Sequence, residues 1–415
     1  MTPEIKHRIG QIRRGEVPER YVKTALGLAP TDWKRYTFGD IYTERKEPGD
    51  ENLPLLMVSI HSGVSDGEVD AAELPKQVKR IEDKSQYKKA VSGDLVFNMM
   101  RAWQGAIGTV RTTGMVSPAY IVAEPNDKAY PLFMDYYSRT PQMINQLDRQ
   151  SYGVTDFRKR LYWDSFAPIG CILPPIEEQQ KIATILTTQD KVIKLKEKRL
   201  AEKQRQKKYL MQQLLTGKKR LPGFNGAWKT DCLGKLFFER KETNCENIEM
   251  LAITGTQGII PRKELDLKDN SSEDKSKYLR VCVGDIGYNT MRMWQGVSAY
   301  SNYGGIVSPA YTILKPSSSI NAKYFAYLFK MSEIVFLFYR FSQGLVDDTR
   351  NLKYENFKKI KVCYPPDMKE QTAIAEVLSA ADREIDLLQQ DIEQEKQKKK
   401  ALMQLLLTGI VRVKT

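Results

Sequence analysis

Residues 98–120 read NMMRAWQGAIGTVRTTGMVSPAY, and residues 289–311 read NTMRMWQGVSAYSNYGGIVSPAY. One chain thus carries the same Arg-x-Trp-Gln-Gly frame and the same Val-Ser-Pro-Ala-Tyr close twice, so the repeat is the unit of folding. Setting Arg101 over Arg292 fixes the offset at 191. At that offset VSGDLVFNMMRAWQG (91–105) lies over CVGDIGYNTMRMWQG (282–296), and Asp83–Tyr87 over Asp274–Tyr278. Ser151-Tyr-Gly lies over Ser342-Gln-Gly, and Pro174-Pro175 over Pro365-Pro366. Upstream the offset is 195: Trp33 matches Trp228, and ERKE at Glu44–Glu47 matches ERKE at Glu239–Glu242. Past the prolines it is 192, with Leu186 over Leu378.

Each copy has two parts. The first is a globular unit of short β-rich runs (LPLLMVSI and AYIVAEP; MLAITG and AYTILKP) broken by Gly and Pro, with one helix expected after each VSPAY strand. The second is a long charged helix. It opens after a Pro pair that fixes an extended entry, carries Glu177 and Glu178 in its first turn, and stops at Gly217. Its counterpart stops at Gly409. In the first helix Leu186, Ile193, Leu200, Lys207 and Leu214 recur every seven residues, with companions Ile182 and Leu210. In the second, Leu378, Ile385, Ile392, Lys399 and Leu406 recur, with Ile374, Leu388 and Leu402. This is a coiled-coil seam. Two such helices, each with little apolar surface beyond its stripe, are expected to pack antiparallel as a rod of roughly 60 Å.

The composition is that of a folded protein: 415 residues, 41% hydrophobic and 10% aromatic. A net charge of +14 points first to a polyanion, nucleic acid ahead of an acidic membrane surface. Five scattered cysteines without a CxxC, and two histidines in all, argue against a zinc site and for reduced thiols in the cytoplasm. The N-terminal MTPEIKHRIGQIRRGEVPERY has no apolar run and is read as no signal peptide, and no stretch of eighteen apolar residues spans a membrane.

Catalytic patterns are missing. Gly217-Lys218 lacks the upstream Gly of a phosphate loop, and no GxGxxG follows a strand. LPPI and YPPD lack the amide or carboxylate that amino-methyltransferases place before two prolines. The acid-x-Lys of ELDLKD (Glu264–Asp269) arises by chance and has no counterpart in the first copy. The pattern argues for a binding protein that needs no cofactor and no metal.

In the repeated frame, Arg101 and Arg292 are suited to guanine O6 and N7, and Gln104 and Gln295 to adenine N6 and N7. The alternative is a structural turn whose Arg pairs with an acid. Trp103 and Trp294 are assigned to the core. Three further recurring stretches are polar at the places where loops meet ligands. They are Arg45 and Lys46 against Arg240 and Lys241; His61 and Ser62 against Thr256 and Gln257; and the stretches SYGVTDFRKRL, with candidates Tyr152, Thr155 and Arg158, and SQGLVDDTRNL, with candidates Gln343, Asp347 and Arg350. Shared scaffold with divergent loop tips fits two related readers of different base sequences, or drift in unused loops.

The layout resembles the specificity subunit of a Type I restriction-modification system. The tandem LPPIEEQQKIATIL…LLTG and YPPDMKEQTAIAEVL…LLTG, each after a globular unit, carries the resemblance, which covers nearly the whole chain. It implies an α+β fold of two target recognition domains separated by two long antiparallel coiled-coil helices, with circular pseudo-two-fold symmetry. The segments expected are 1–31 as an N-terminal helical piece lying near the ends of the long helices, 32–176 and 218–366 as recognition domains, 177–217 as the central helix, and 367–415 as the distal helix and tail. The resemblance also implies a non-catalytic, cytoplasmic subunit that reads a split asymmetric double-stranded DNA target. Its partners would be two modification (methyltransferase) subunits and two restriction (translocase and nuclease) subunits. Lys194, Lys198 and Arg205 are expected on the docking face of the helix.

Overall fold

A computed structural model of the chain describes residues 3–50, 52–65, 86–155, 158–245, 248–255, 258–265 and 274–413. The chain divides into two compact units, Met1–Leu195 with Ile392–Thr415, and Lys196–Asp391. Each long helix therefore contributes to both.

In the first unit the strands Tyr42–Glu44, Tyr120–Pro125, Leu95–Asn98 and Ile107–Thr109 form a four-stranded antiparallel sheet in that order. Lys34–Thr37 pairs with Gly170–Leu173, and Lys88–Ala90 with Gly114–Val116. The second unit repeats the plan. Its sheet runs Phe237–Glu239, Tyr311–Pro316, Ile286–Asn289, Ser298–Tyr300, and the pairs are Lys229–Cys232 with Lys361–Tyr364 and Leu279–Val281 with Gly305–Val307. The alternating strands send one face into an aromatic core. Phe166 meets Phe38 at 4.4 Å and Phe97 at 4.6 Å with tilted rings in the first unit, and Phe237, Phe325, Phe329 and Phe357 meet largely edge to face in the second.

The single helix expected after each VSPAY strand is two helices in each unit. Pro131–Tyr137 is followed by Pro141–Gln150, and Ala322–Leu328 by Ser332–Phe341. In the first unit Pro141 forces the break, because the residue before a proline is pushed out of the helical region. Thr140 then caps the new helix by accepting from the Met143 N–H at 3.4 Å. The second unit breaks at the same place without a proline.

The helices Ile176–Leu214 and Met368–Leu406 form on the heptads as expected. In the first unit Ile182, Leu186 and Leu406 lie in one core, and Gln189 Nε2 donates to Glu395 Oε2 at 2.6 Å. In the second unit Leu214, Ile374 and Leu378 do the same, and Lys196 and Lys203 pair with Asp391 and Glu384 at 2.8 Å each. The falling partner numbers show that the helices run antiparallel within each unit.

The seam lysines are built into clusters. Lys399 pairs with Asp190 at 2.6 Å, and Tyr136 of the globular part donates to the other Asp190 oxygen at 2.6 Å. Lys207 pairs with Asp382, to which Tyr327 donates at 2.6 Å. Burial pushes the hydroxyl pKa of both tyrosines up, and the carboxylate that each one bonds adds to the shift. A polar group at one seam position fixes register and partner geometry.

The ends of the helices are fastened alike. In the second unit Arg220, three residues past Gly217, makes a bidentate pair with buried Glu370 at 2.5 and 2.7 Å and lies over Trp228. In the first unit Arg412, three residues past Gly409, pairs with buried Glu178 at 2.9 and 2.7 Å and lies over Trp33. Both glycines sit at φ +71°, the left-handed cap predicted for them. Beside the Glu, Gln179 bonds the backbone of Tyr130, Lys128 and Pro174, and Gln371 that of Asn321 and Pro365. The segment without a second copy forms the helix Pro3–Arg13 and the hairpin Tyr21–Thr24 with Gly27–Pro30. Arg8 donates to the Ile410 carbonyl at 3.1 Å and the Tyr21 hydroxyl to the Gly409 carbonyl at 2.6 Å, so this segment packs on the end of the second long helix.

Candidate nucleic-acid interface

The repeated frame is a rigid outward turn. Asn98, ending its strand, accepts from the Met100 N–H at 2.9 Å; Asn289 does so from Met291 at 3.0 Å. A single 3₁₀ turn follows (Ala102–Gln104; Met293–Gln295), closed by Gly105 at φ 98° and Gly296 at φ 80°, where a side chain is disfavoured. Ala102 and Met293 are fully buried and anchor the turn. Each indole N–H donates back inside it, Trp103 to the Met100 carbonyl at 3.0 Å and Trp294 to that of Met291 at 2.9 Å. The tryptophans are half-buried rather than core, and a cation lies over each ring: Lys159 at 5.0 Å over Trp103 and Arg350 at 6.0 Å over Trp294.

Arg101, Gln104, Arg292 and Gln295 are exposed, and among the described residues their side chains make no hydrogen bond or ion pair. The turn thus pins its backbone and its Trp while leaving the Arg and Gln heads in water. The alternative in which this Arg pairs with an acid is not what the structure shows.

The other predicted residues separate by exposure. Arg45 and Arg240 are corrected to a structural role. Arg45 bonds buried Asp94 at 2.8 and 3.3 Å and Glu47 at 2.5 Å, and Arg240 bonds buried Asp285 at 2.8 and 3.1 Å and Glu242 at 2.5 Å. Their side chains are only 11% and 10% exposed, and Asp94 and Asp285 also cap the turns at Val91 and Cys282. Hydrogen bonding to Asp285 raises the already high Arg240 pKa, so the charge is fixed. Lys46 and Lys241 stay outside, loosely paired with Glu44 at 3.2 Å and Glu239 at 3.0 Å. His61 and Ser62 are exposed at the tip of the hairpin Val58–Ser59 with Gly63–Val64, whose Ile60 carbonyl would lie 3.8 Å from a Cβ on Gly105. Thr256 and Gln257, like much of the Glu264–Asp269 stretch and of Asp83–Tyr87, lie outside the described residues.

The third loop is a nine-residue segment closed by an isolated antiparallel bridge, Tyr152 with Arg160 and Gln343 with Asn351. Its exit is bonded to the turn: the Leu161 N–H donates to the Met99 carbonyl at 2.9 Å, and the Leu352 N–H to that of Thr290 at 2.8 Å. Tyr152, Thr155, Arg158, Gln343 and Asp347 are exposed. Arg350 is not a free reader. Its guanidinium lies 4.1 Å over Tyr339 and bonds Asp347 at 3.3 Å, so it braces the loop as Lys159 does in the first unit. Lys194 of the first unit and Lys198 and Arg205 of the second are exposed on the first long helix. No described helix is long and apolar enough to cross a membrane.

A family model described as the Type I restriction modification DNA specificity domain matches residues 70–205 and 234–397, more than half of the chain. The chain belongs to that family. The membership makes it the DNA-recognition component of such a system. It is similar to a putative type I restriction enzyme MjaX specificity subunit of Methanocaldococcus jannaschii, at 24% identity over 96% of this chain and 98% of that one. In fold it is similar to the type I restriction-modification system S subunit from M. genitalium, with a TM-score of 0.56, 11% identity, and 90% and 96% of the two chains covered. A chain of a type I R-M system, solved in a study of complex assembly and conformational transition, gives a TM-score of 0.51 at 17% identity, with 92% and 99% covered.

Sequence reasoning missed the Glu178–Arg412 and Glu370–Arg220 locks and the lysine clusters of the seam. The Gly-x-x-Arg spacing after both helices was the signal that could have exposed the locks.

Proposed function

We propose that each unit reads one half of a split, asymmetric double-stranded DNA target. The chain itself performs no chemical step. Two modification subunits supply methylation, two restriction subunits supply translocation and cleavage, and the assembly works in the cytoplasm. One observation carries the reading: two units of the same topology each hold out, from the same pinned turn, an Arg and a Gln that have no partner among the described residues, beside loops whose tips differ. Arg and Gln are the side chains that bracket purine edges in the major groove, and a net charge of +14 supplies the attraction to phosphate. The two long helices fix the spacer between half-sites, and the exposed Lys194, Lys198 and Arg205 mark the face that docks the modification subunits.

Hydroxyl-radical footprinting of the chain with its modification subunits, on DNA carrying its target, tests this. Two short protected blocks flanking an unprotected spacer are expected. One continuous block, or protection indifferent to sequence, would overturn it.

A further inference from the structure

We infer that Val154 and Leu345 each read the 5-methyl group of a thymine in the half-site that their unit contacts. The inference rests on the DNA-reading function proposed above.

Single exposed aliphatic side chains are ordinary on protein surfaces. These two are not scattered. At the offset of 191 they occupy the same position, third in the nine-residue loop closed by the same bridge, while the residues after them diverge. Val154 is 91% exposed and Leu345 is 100% exposed. The preceding glycines explain the geometry. A Cβ on Gly153 would stand 2.4 Å from the Arg158 carbonyl oxygen, and one on Gly344 would stand 2.7 Å from Arg350 Cα. Only glycine lets the two limbs of the loop approach so closely, and the next side chain is left standing in solvent. The loop is braced before any ligand arrives, through Lys159 over Trp103 and Arg350 over Tyr339.

An aliphatic tip gains free energy only against another apolar surface. Each of these tips stands on a loop whose exit is hydrogen-bonded to the turn that presents Arg101 and Gln104, or Arg292 and Gln295. Where such donors meet base edges, the apolar group on offer in the major groove is the thymine methyl. Insertion between base steps is the other use of apolar side chains on DNA, made by wedges of Phe, Leu, Ile, Met or Pro, a set that includes leucine but not valine. Valine is short and branched at Cβ, so a tip that is Val in one copy and Leu in the other fits contact in a groove.

The test uses the full chain assembled with its modification subunits and a duplex bearing its target. Each thymine of the two half-sites is replaced singly by uracil, which removes the methyl and keeps the pairing. Wild type should bind about fourfold more weakly when the one contacted thymine of each half is replaced, the worth of one buried methyl. Val154→Ser should abolish that difference in one half-site and keep it in the other, and Leu345→Ser should do the reverse. Both variants should keep wild-type melting temperatures, because the replaced groups are in water. Uracil replacement without effect at any position, a difference that survives in both variants, or half-sites without an A·T pair would overturn the inference. Brightening of a neighbouring 2-aminopurine on binding, the sign of insertion, would overturn it as well. If the assembly shows no split target at all, the proposed function itself fails; a split target indifferent to the methyl sinks only this inference.

Discussion

Replacing Arg412 by alanine should loosen the first unit and leave the second untouched. Arg412 donates to both oxygens of Glu178, at 2.9 and 2.7 Å, and to Asp32 at 2.8 and 2.7 Å. Glu178 is 1% exposed, and without Arg412 its partners among the described residues are the Trp33 indole N–H and the Val413 N–H, both at 3.3 Å. Removing one partner of a buried pair costs about 3–5 kcal/mol, because the remaining charge is stranded. Arg412 is itself a third exposed and Asp32 lies mostly in water, so solvent screening trims the figure to about 2–3 kcal/mol. Hydrogen exchange read peptide by peptide is the assay, since it separates the two units. Protection in the strands and helices of Met1–Leu195 should fall roughly 30- to 150-fold, and that in Lys196–Asp391 should hold. Arg220→Ala should give the mirror image through Glu370. Unchanged exchange in the first unit of the Arg412 variant would refute the reasoning, because it would mean that the tail does not lock the start of the first long helix.

Arg292→Ala should cost about 1–3 kcal/mol of binding to one half-site at unchanged stability, whereas Arg45→Ala should cost about 3 kcal/mol or more of stability by stranding Asp94; paired melts and binding titrations distinguish the two. Burial pushes the Cys171 thiol up to about 12, so its stabilising effect is complete below the unfolded thiol pKa of about 8.5 and is lost as pH rises from there toward 12. Accordingly Cys171 should resist iodoacetamide at pH 8 while exposed Cys363 reacts, as mass spectrometry of the labelled native protein would show. Reversing the charges of Lys194, Lys198 and Arg205 should reduce co-purification of the modification subunit while circular dichroism stays native; full recovery would move the docking face elsewhere.

What the sequence made legible follows from its duplication. The heptads of Leu186 and Leu378, the cap glycines and the pinned turn are local patterns written twice, so each copy checked the other. What stayed hidden depends on partners far away in the chain. ERKE recurs as visibly as the Arg-x-Trp-Gln frame, yet Arg45 is held by Asp94 and Arg240 by Asp285, 49 and 45 residues further on. Recurrence alone cannot separate a buried ion pair from an outward reader, since a shared scaffold preserves both. The lysines at 207 and 399 look like breaks in an apolar seam until Asp382 and Asp190 are seen across from them. The helix break at Pro141 was readable from the proline, while the matching one near Met331 has no such mark.

Under the proposed function this chain gives a Type I system a target in two parts, one read by each unit. Single-molecule methylation sequencing of cells that express the chain with its modification subunits measures it directly. One asymmetric motif of two short specified blocks flanking a spacer of fixed length and free sequence is expected. In an Arg292→Ala variant only one block should lose specificity. A continuous motif, or loss of both blocks together from that single change in a folded protein, would contradict it.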